Sequence, residues 1–323
     1  MSHALVTGAT GFVGSHLVEL LAEAGVRTRA LVRRTSDTTR LEALGIERVE
    51  GALDDAPSLR RAAAGVDVVF HLAALTRARN AAEYGRVNAE GARRVAEAAG
   101  ACGARLVYLS SLAAVGPSEG GRPVTESDEP RPITDYGRSK LAGEIACRAA
   151  AGDGEVVVLR APAVYGPRDR DLFRFFSMAA RGIVTLPTGP ERRLQLIHAR
   201  DLAAALVAAA RADRPGPIYN VAEARSYAWS KVAGMVAGAV GGKVRFVRVP
   251  PALVRAAAGA SELGARLMGR ATIFNRDKAR ELLAPGWLCE TAAAERDLGF
   301  VARIPLASGL QQTADWYRSE GWL

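Results

Sequence analysis

The chain has 323 residues, enough for one large domain or two of ordinary size. Hydrophobic residues make up 49% and charged ones 24%, and a mean hydropathy of +0.03 excludes both a disordered chain and a bundle of membrane spans. The net charge of +9 is spread along the sequence rather than gathered into a binding arm, so neither a nucleic-acid partner nor membrane insertion is expected. Cys102, Cys147 and Cys289 are odd in number and far apart, which suits neither a disulfide framework nor a metal site and fits a reducing cytoplasm. Met1 leads straight into an apparent strand, so no secretory signal is expected.

Short apolar runs of strand type alternate with longer stretches of helical period. Strands are predicted at 4–7, 28–32, 47–50, 66–71, 105–110 and 156–160, and helices at 12–24, 58–64, 81–101 and 136–150. Right-handed crossovers would place the helices on both faces of a parallel sheet, giving an α/β, Rossmann-type doubly wound fold over residues 1–167. After Tyr165-Gly166-Pro167-Arg168-Asp169 the rhythm changes. Residues 168–323 read mainly as a smaller α/β substrate-binding lobe, with some segments returning to the first sheet. Residues 251–269 read as an exposed helix of that lobe or a cover over the substrate, with a membrane-surface element as the weaker alternative.

Between the first strand and first helix stands Gly8-Ala9-Thr10-Gly11-Phe12-Val13-Gly14. Glycines here permit a tight turn and let a pyrophosphate reach the backbone amides at a helix N-terminus, where the dipole favours negative charge. Arg33 and Arg34 follow the second strand, where an NAD site usually carries an acid for the ribose hydroxyl. An arginine there suits a 2′-phosphate and favours NADP over NAD, with Asp37 as a complication. Tyr136 and Lys140 are four residues apart and share a helix face, where a nearby ammonium favours the phenolate and is expected to lower the phenol's pKa. Alone, such a pair is usually an ordinary surface contact. Ser111 stands at the carboxyl end of a strand, the edge at which α/β proteins bind ligands.

The glycine spacing in ALVTGATGFVGSHLVELLAEAG resembles the N-terminus of extended short-chain dehydrogenases and nucleotide-sugar epimerases. VFHLAA, VNAEGARRV, VYLSSLAAVGP, YGRSK, LRAPAVYGP and LIHARDLA extend the likeness over almost the whole chain. The resemblance implies an NAD(P)-dependent enzyme with Ser111, Tyr136 and Lys140 as catalytic residues, Lys140 also binding the nicotinamide ribose. It further implies a cofactor cleft formed by Gly8, Thr10, Gly11, Phe12, Val13, Gly14, Leu53, Asp54, Leu72, Ala73, Ala74, Asn88, Pro162, Ala163 and Val164, and a homodimer formed through helices 81–101 and 136–150. Ala52 departs from the family's pattern, standing where relatives carry an adenine-contacting Asp; Leu53 and Asp54 are the candidate substitutes. His71 and His198 lack metal partners at useful spacing and read as structural hydrogen-bonding groups.

The resemblance leaves two enzyme readings: a reductase or dehydrogenase acting on a ketone or secondary alcohol, and a nucleotide-sugar epimerase or dehydratase with resident NAD. Ala163 and Leu194 stand where sugar enzymes commonly carry Asn and Arg, although Arg192 and Arg193 are near enough to compensate. With SSLAAVGP, this favours the branch of hydroxysteroid dehydrogenases and dihydroflavonol reductases. A non-catalytic dinucleotide sensor is the reading from another class, and intact Ser111, Tyr136 and Lys140 argue against it.

Overall fold

The computed structural model describes residues 1–268, 272 and 274–323, without the side chain of Arg266. Its first half runs β1 (His3–Thr7), α1 (Phe12–Glu23), β2 (Arg27–Val32), α2 (Thr39–Ala43), β3 (Glu47–Glu50), α3 (Ala56–Ala63), β4 (Val68–His71), α4 (Ala81–Tyr84), α5 (Gly91–Ala101), β5 (Arg105–Ser111), α6 (Asp135–Ala150) and β6 (Val156–Ala161). These six strands and Ile218–Asn220 form one parallel sheet in the order Ile218–Asn220, β6, β5, β4, β1, β2, β3. The order reverses between β1 and β4, which opens a crevice at their carboxyl ends.

Near-continuous runs such as Val68-Val69-Phe70-His71 are what a sheet covered on both faces requires, and all four residues are buried. Leu17, Val18 and Leu21 of α1 and Leu202 and Leu206 of helix Ala199–Arg211 pack on one face. Leu59 of α3, Val95 and Ala99 of α5, and Cys147 of α6 pack on the other. Each fully buried Leu or Val contributes about 1.5–3 kcal/mol, so these two layers fix the sheet and with it the row of strand ends.

A further core gathers Phe176, Val184, Leu194, Val232, Val236, Leu306, Leu310 and Tyr317 around short strands and helices of the second half. Helix Pro251–Leu267 lies in this half; residue 269, which the sequence placed at its end, falls outside the described residues.

The predicted helix 81–101 is in fact three pieces: α4, a wider π-helical segment Gly85–Glu90, and α5. The seventh strand, Ile218–Asn220, was not foreseen.

Candidate active site

The strand ends bring the predicted cofactor residues to one edge of the sheet. Thr7 ends β1 and the glycine loop follows, Gly11 amide donating to Gly8 carbonyl at 3.0 Å before α1 begins. Gly8 has φ +76°, and a Cβ there would lie 2.7 Å from Ala73 nitrogen. At Gly14 a Cβ would fall 2.0 Å from Gly8 oxygen, so α1 and the turn touch backbone to backbone. No side chain caps α1, which leaves its first amides open to an anion. This bare, glycine-walled turn fits a dinucleotide pyrophosphate. Thr10 and Gly11 are exposed, while Phe12 and Val13 are half-buried at the start of α1.

Arg33 and Arg34 follow β2, both exposed, and neither guanidinium has a partner among the described residues. The Asp37 carboxylate is turned away: it accepts from the Thr39 amide at 3.1 Å and the Thr39 hydroxyl at 2.8 Å. Leu53 packs against Gly91 of α5, and Asp54 is exposed. Leu72, Ala73 and Ala74 are half-buried after β4, with the Leu72 amide held by Thr7 carbonyl at 3.1 Å. Beyond β6, Pro162 is buried, Val164 half-buried and Ala163 exposed.

Asn88 sits in the π-helical segment and is almost fully buried. Its carbonyl oxygen accepts from the Leu75 amide at 2.7 Å, and its amide donates to Leu75 oxygen at 2.9 Å and Ser139 Oγ at 3.0 Å. Asn88 thereby ties the loop after β4 to α6, the helix that bears Tyr136 and Lys140.

That helix starts where Thr134 Oγ1 caps the Gly137 amide at 3.0 Å. One turn along, Lys140 is buried; its Nζ donates to Leu109 carbonyl at 2.7 Å and lies 4.2 Å from the Tyr108 ring centroid. Burial lowers the Lys140 pKa to about 8, against the opposing influence of Cys147 and Glu144. Desolvation raises the pKa of the Tyr136 phenol well above its ordinary value, with Glu281 adding to the shift and a hydrogen bond with Ser111 opposing it. The Ser111 hydroxyl also accepts from the Ala113 amide at 3.2 Å. The Tyr136 phenol and Ser111 therefore share a hydrogen bond beside the cofactor crevice, while Lys140, one turn along α6 and engaged by Leu109, does not lower the Tyr136 pKa as their shared helix face would lead one to expect.

His71 is buried beneath this point. Its Nδ1 lies 2.7 Å from Thr7 Oγ1 and its ring stacks on Tyr108; desolvation, then the charge of Lys140, lowers its pKa to about 3, so it is neutral. His198 accepts the Arg200 amide through Nδ1 at 3.2 Å and caps helix Ala199–Arg211.

Other neighbours of the site gave no sequence signal. The Tyr84 ring lies 6.0 Å from that of Tyr136. Helix Arg276–Leu283 docks over α6, with Asp277 accepting the Asp135 amide at 2.6 Å. Arg77, in the loop after β4, pairs with Asp171 of the second half. Arg168, at φ +77°, grips Glu19 of α1 through two hydrogen bonds of 2.5 and 2.8 Å and contacts His16 Nδ1 at 2.8 Å, fastening the 165–169 turn behind the glycine loop. Buried Glu144 of α6 was legible in principle, since it continues the four-residue spacing of Tyr136 and Lys140.

Residues 4–222 match the model of the NAD dependent epimerase/dehydratase family. The chain belongs to this family. A ceramide reductase of Caulobacter vibrioides is 38% identical over 98% of this chain and 95% of its own length. A ketoreductase of Stigmatella aurantiaca, named for a farnesyl-dihydroquinoline oxide, is 28% identical over 94% of this chain and 93% of its own length. Among solved structures, MoeE5 in complex with UDP-glucose and NAD superposes with a TM-score of 0.78 at 29% identity, covering 98% of this chain and 99% of that one. The protein is an NAD(P)-dependent oxidoreductase of the extended short-chain dehydrogenase type, passing hydride between nicotinamide and a ketone or secondary alcohol.

Proposed function

We propose that the protein reduces the ketone of a long-chain, lipid-type substrate with NADPH, through Ser111, Tyr136 and Lys140. The observation that carries this reading is the hydrogen bond between the Tyr136 phenol and Ser111 at the carboxyl end of β5. A neutral phenol is a proton donor, which is what a nascent alkoxide needs. Bound nicotinamide supplies the hydride. Ser111 holds the substrate oxygen, Tyr136 gives it the proton, and the Lys140 ammonium stabilises the phenolate left behind.

Position 194 argues against a sugar diphosphate. Leu194 is buried in the second core rather than offering a cation; of the two neighbouring arginines, Arg193 Nη2 donates to Ser226 Oγ at 2.8 Å and Arg192 Nη1 donates to the Pro190 carbonyl at 3.4 Å. The names of the Caulobacter and Stigmatella relatives point toward ketones with long apolar chains. NADPH oxidation should therefore be fast with an N-acylated long-chain amino ketone and undetectable with UDP-glucose. Epimerisation of UDP-glucose with no turnover of long-chain ketones would overturn the reading.

Arg33 and Arg34 are the candidate partners of the NADP 2′-phosphate, because both are unpaired while Asp37 is engaged by Thr39. Replacing Arg33 with Ala should raise KM for NADPH about 10-fold, the worth of one charge-assisted contact, and leave KM for NADH unchanged. Equal effects on both cofactors would remove this role.

A homodimer through α5 and α6 is part of the same proposal. Ile145 of α6 is 57% exposed beside exposed Ala142 and Ala149, an apolar face suited to two-fold packing. Light scattering at micromolar concentration should give twice the chain mass, and Ile145→Glu should halve it; a monomeric wild type would end the idea. The three cysteines are free, in keeping with the cytoplasmic location we propose for the enzyme.

A further inference from the structure

Helix Pro251–Leu267 turns Ala258 and Ala265 inward, at 0% and 7% exposure. Leu253, Leu263, Leu267 and the following Met268 are 60%, 61%, 82% and 65% exposed. At 3.6 residues per turn, Leu253, Ala256, Ala257, Ala260, Leu263 and Leu267 share one stripe on the side away from the two buried alanines. The stripe contains no charged residue, whereas a helix facing water carries its polar residues there.

Basic residues stand close by in the chain. Exposed Arg255 is on the same helix, about a quarter turn beyond the stripe's edge. Strand Arg245–Val249, which runs into the helix through Pro250, presents Arg245 and Arg248 together with Phe246 at 45% and Val247 at 37% exposure. Neither element carries an acid except Glu262. That residue lies with Tyr84, Asp135 and Asn80 around a cavity of about 220 Å³ on the inner side of the helix. A two-fold pairing of this face with a second copy would oppose the same cations, with no exposed acid on these elements to offset them. An anionic surface neutralises them.

We propose that this face docks the protein on an anionic lipid bilayer. Leu253, Leu263, Leu267 and Met268 enter the headgroup boundary, and Arg245, Arg248 and Arg255 meet lipid phosphates. This is adsorption: among the described residues no helix is long and apolar enough to cross a membrane. The inner side of the helix adjoins Tyr84, whose ring is 6.0 Å from that of Tyr136. The cavity that this helix shares with Tyr84 and helix Arg276–Leu283 thus lies between the docked surface and the candidate site. The value of docking rests on the lipid-ketone reading, because it gives a bilayer-borne substrate a short path to Tyr136.

The test is flotation of the full-length protein with vesicles of phosphatidylcholine alone, or of phosphatidylcholine and phosphatidylglycerol in equal parts. The protein should float with the anionic vesicles, less so as salt rises, and stay behind with the neutral ones. The exposed double substitution Leu263→Glu and Leu267→Glu should weaken flotation at least about 10-fold. NADPH affinity and turnover of a short water-soluble ketone should not change. Failure of the wild type to float, or flotation unaffected by the substitutions, would overturn the proposal. So would an oligomer that the substitutions split without any lipid binding. Flotation without turnover of long-chain ketones would support the docking and sink the functional reading alone; turnover of detergent-dispersed ketone without flotation would do the reverse.

Discussion

Replacing Tyr136 with Phe is expected to lower kcat for ketone reduction by about 100- to 10,000-fold, the range of a positioned general acid. NADPH affinity should hardly change. The ring is retained, so its packing beside Tyr84 survives, and what is lost is the single hydroxyl that can give a proton. Stopped-flow or steady-state oxidation of NADPH, with a parallel fluorescence titration of cofactor binding, checks both halves. A variant that binds NADPH and turns over at the wild-type rate would remove Tyr136 from the chemistry. Lys140 gives the same mechanism a pH signature. Its pKa, lowered by burial to about 8, means that the ammonium predominates below about pH 8 and is lost as pH rises through that value. The reductive kcat/KM should accordingly be level through neutrality and decline above about pH 8. In Lys140→Met that decline should vanish along with most of the rate.

The strands were legible because a sheet buried on both faces needs continuous apolar runs, and 66–71, for example, was placed within two residues of the observed β4, Val68–His71. The glycine loop was legible because its glycines answer to close contacts that any Cβ would violate. What escaped depended on distance through space. Ile218–Asn220 has three residues behind a Pro-Gly-Pro turn, too short for any period to register, and joins the sheet only because β6 offers an open edge. The π-helical segment Gly85–Glu90 mixes polar and small residues just as the flanking helices do, so periodicity could not mark the extra residue per turn. Arg77, Asp171 and Arg168 are surface types in an Arg-rich chain. Only the fold shows that Arg168 reaches back to Glu19, 149 residues away in sequence.

The buried pair under the candidate site sets the second large expectation. Arg160, at the end of β6, donates from Nε to Glu144 Oε1 at 3.0 Å and from Nη2 to Oε2 at 2.7 Å, and Ser110 Oγ donates to the same carboxylate at 2.5 Å. Glu144 is 0% and Arg160 2% exposed. Glu144 lies one turn beyond Lys140 on α6, and Ser110 is adjacent to Ser111, so this network joins the two elements that carry the candidate triad. Replacing Arg160 with Met leaves the buried carboxylate with only Ser110 Oγ and, at 3.9 Å, the half-buried Arg148 guanidinium. That should cost about 3–5 kcal/mol, or roughly 4–7 °C in Tm for a chain of this length. Glu144→Leu strands the guanidinium instead, with a loss of similar size. The double variant Glu144→Leu and Arg160→Met removes both charges and should be more stable than either single change, because neither ion is left without its partner. Thermal melts of the four proteins close the cycle. If the single changes simply add in the double variant, the two groups do not interact, and the link they make contributes nothing to holding α6 against β6.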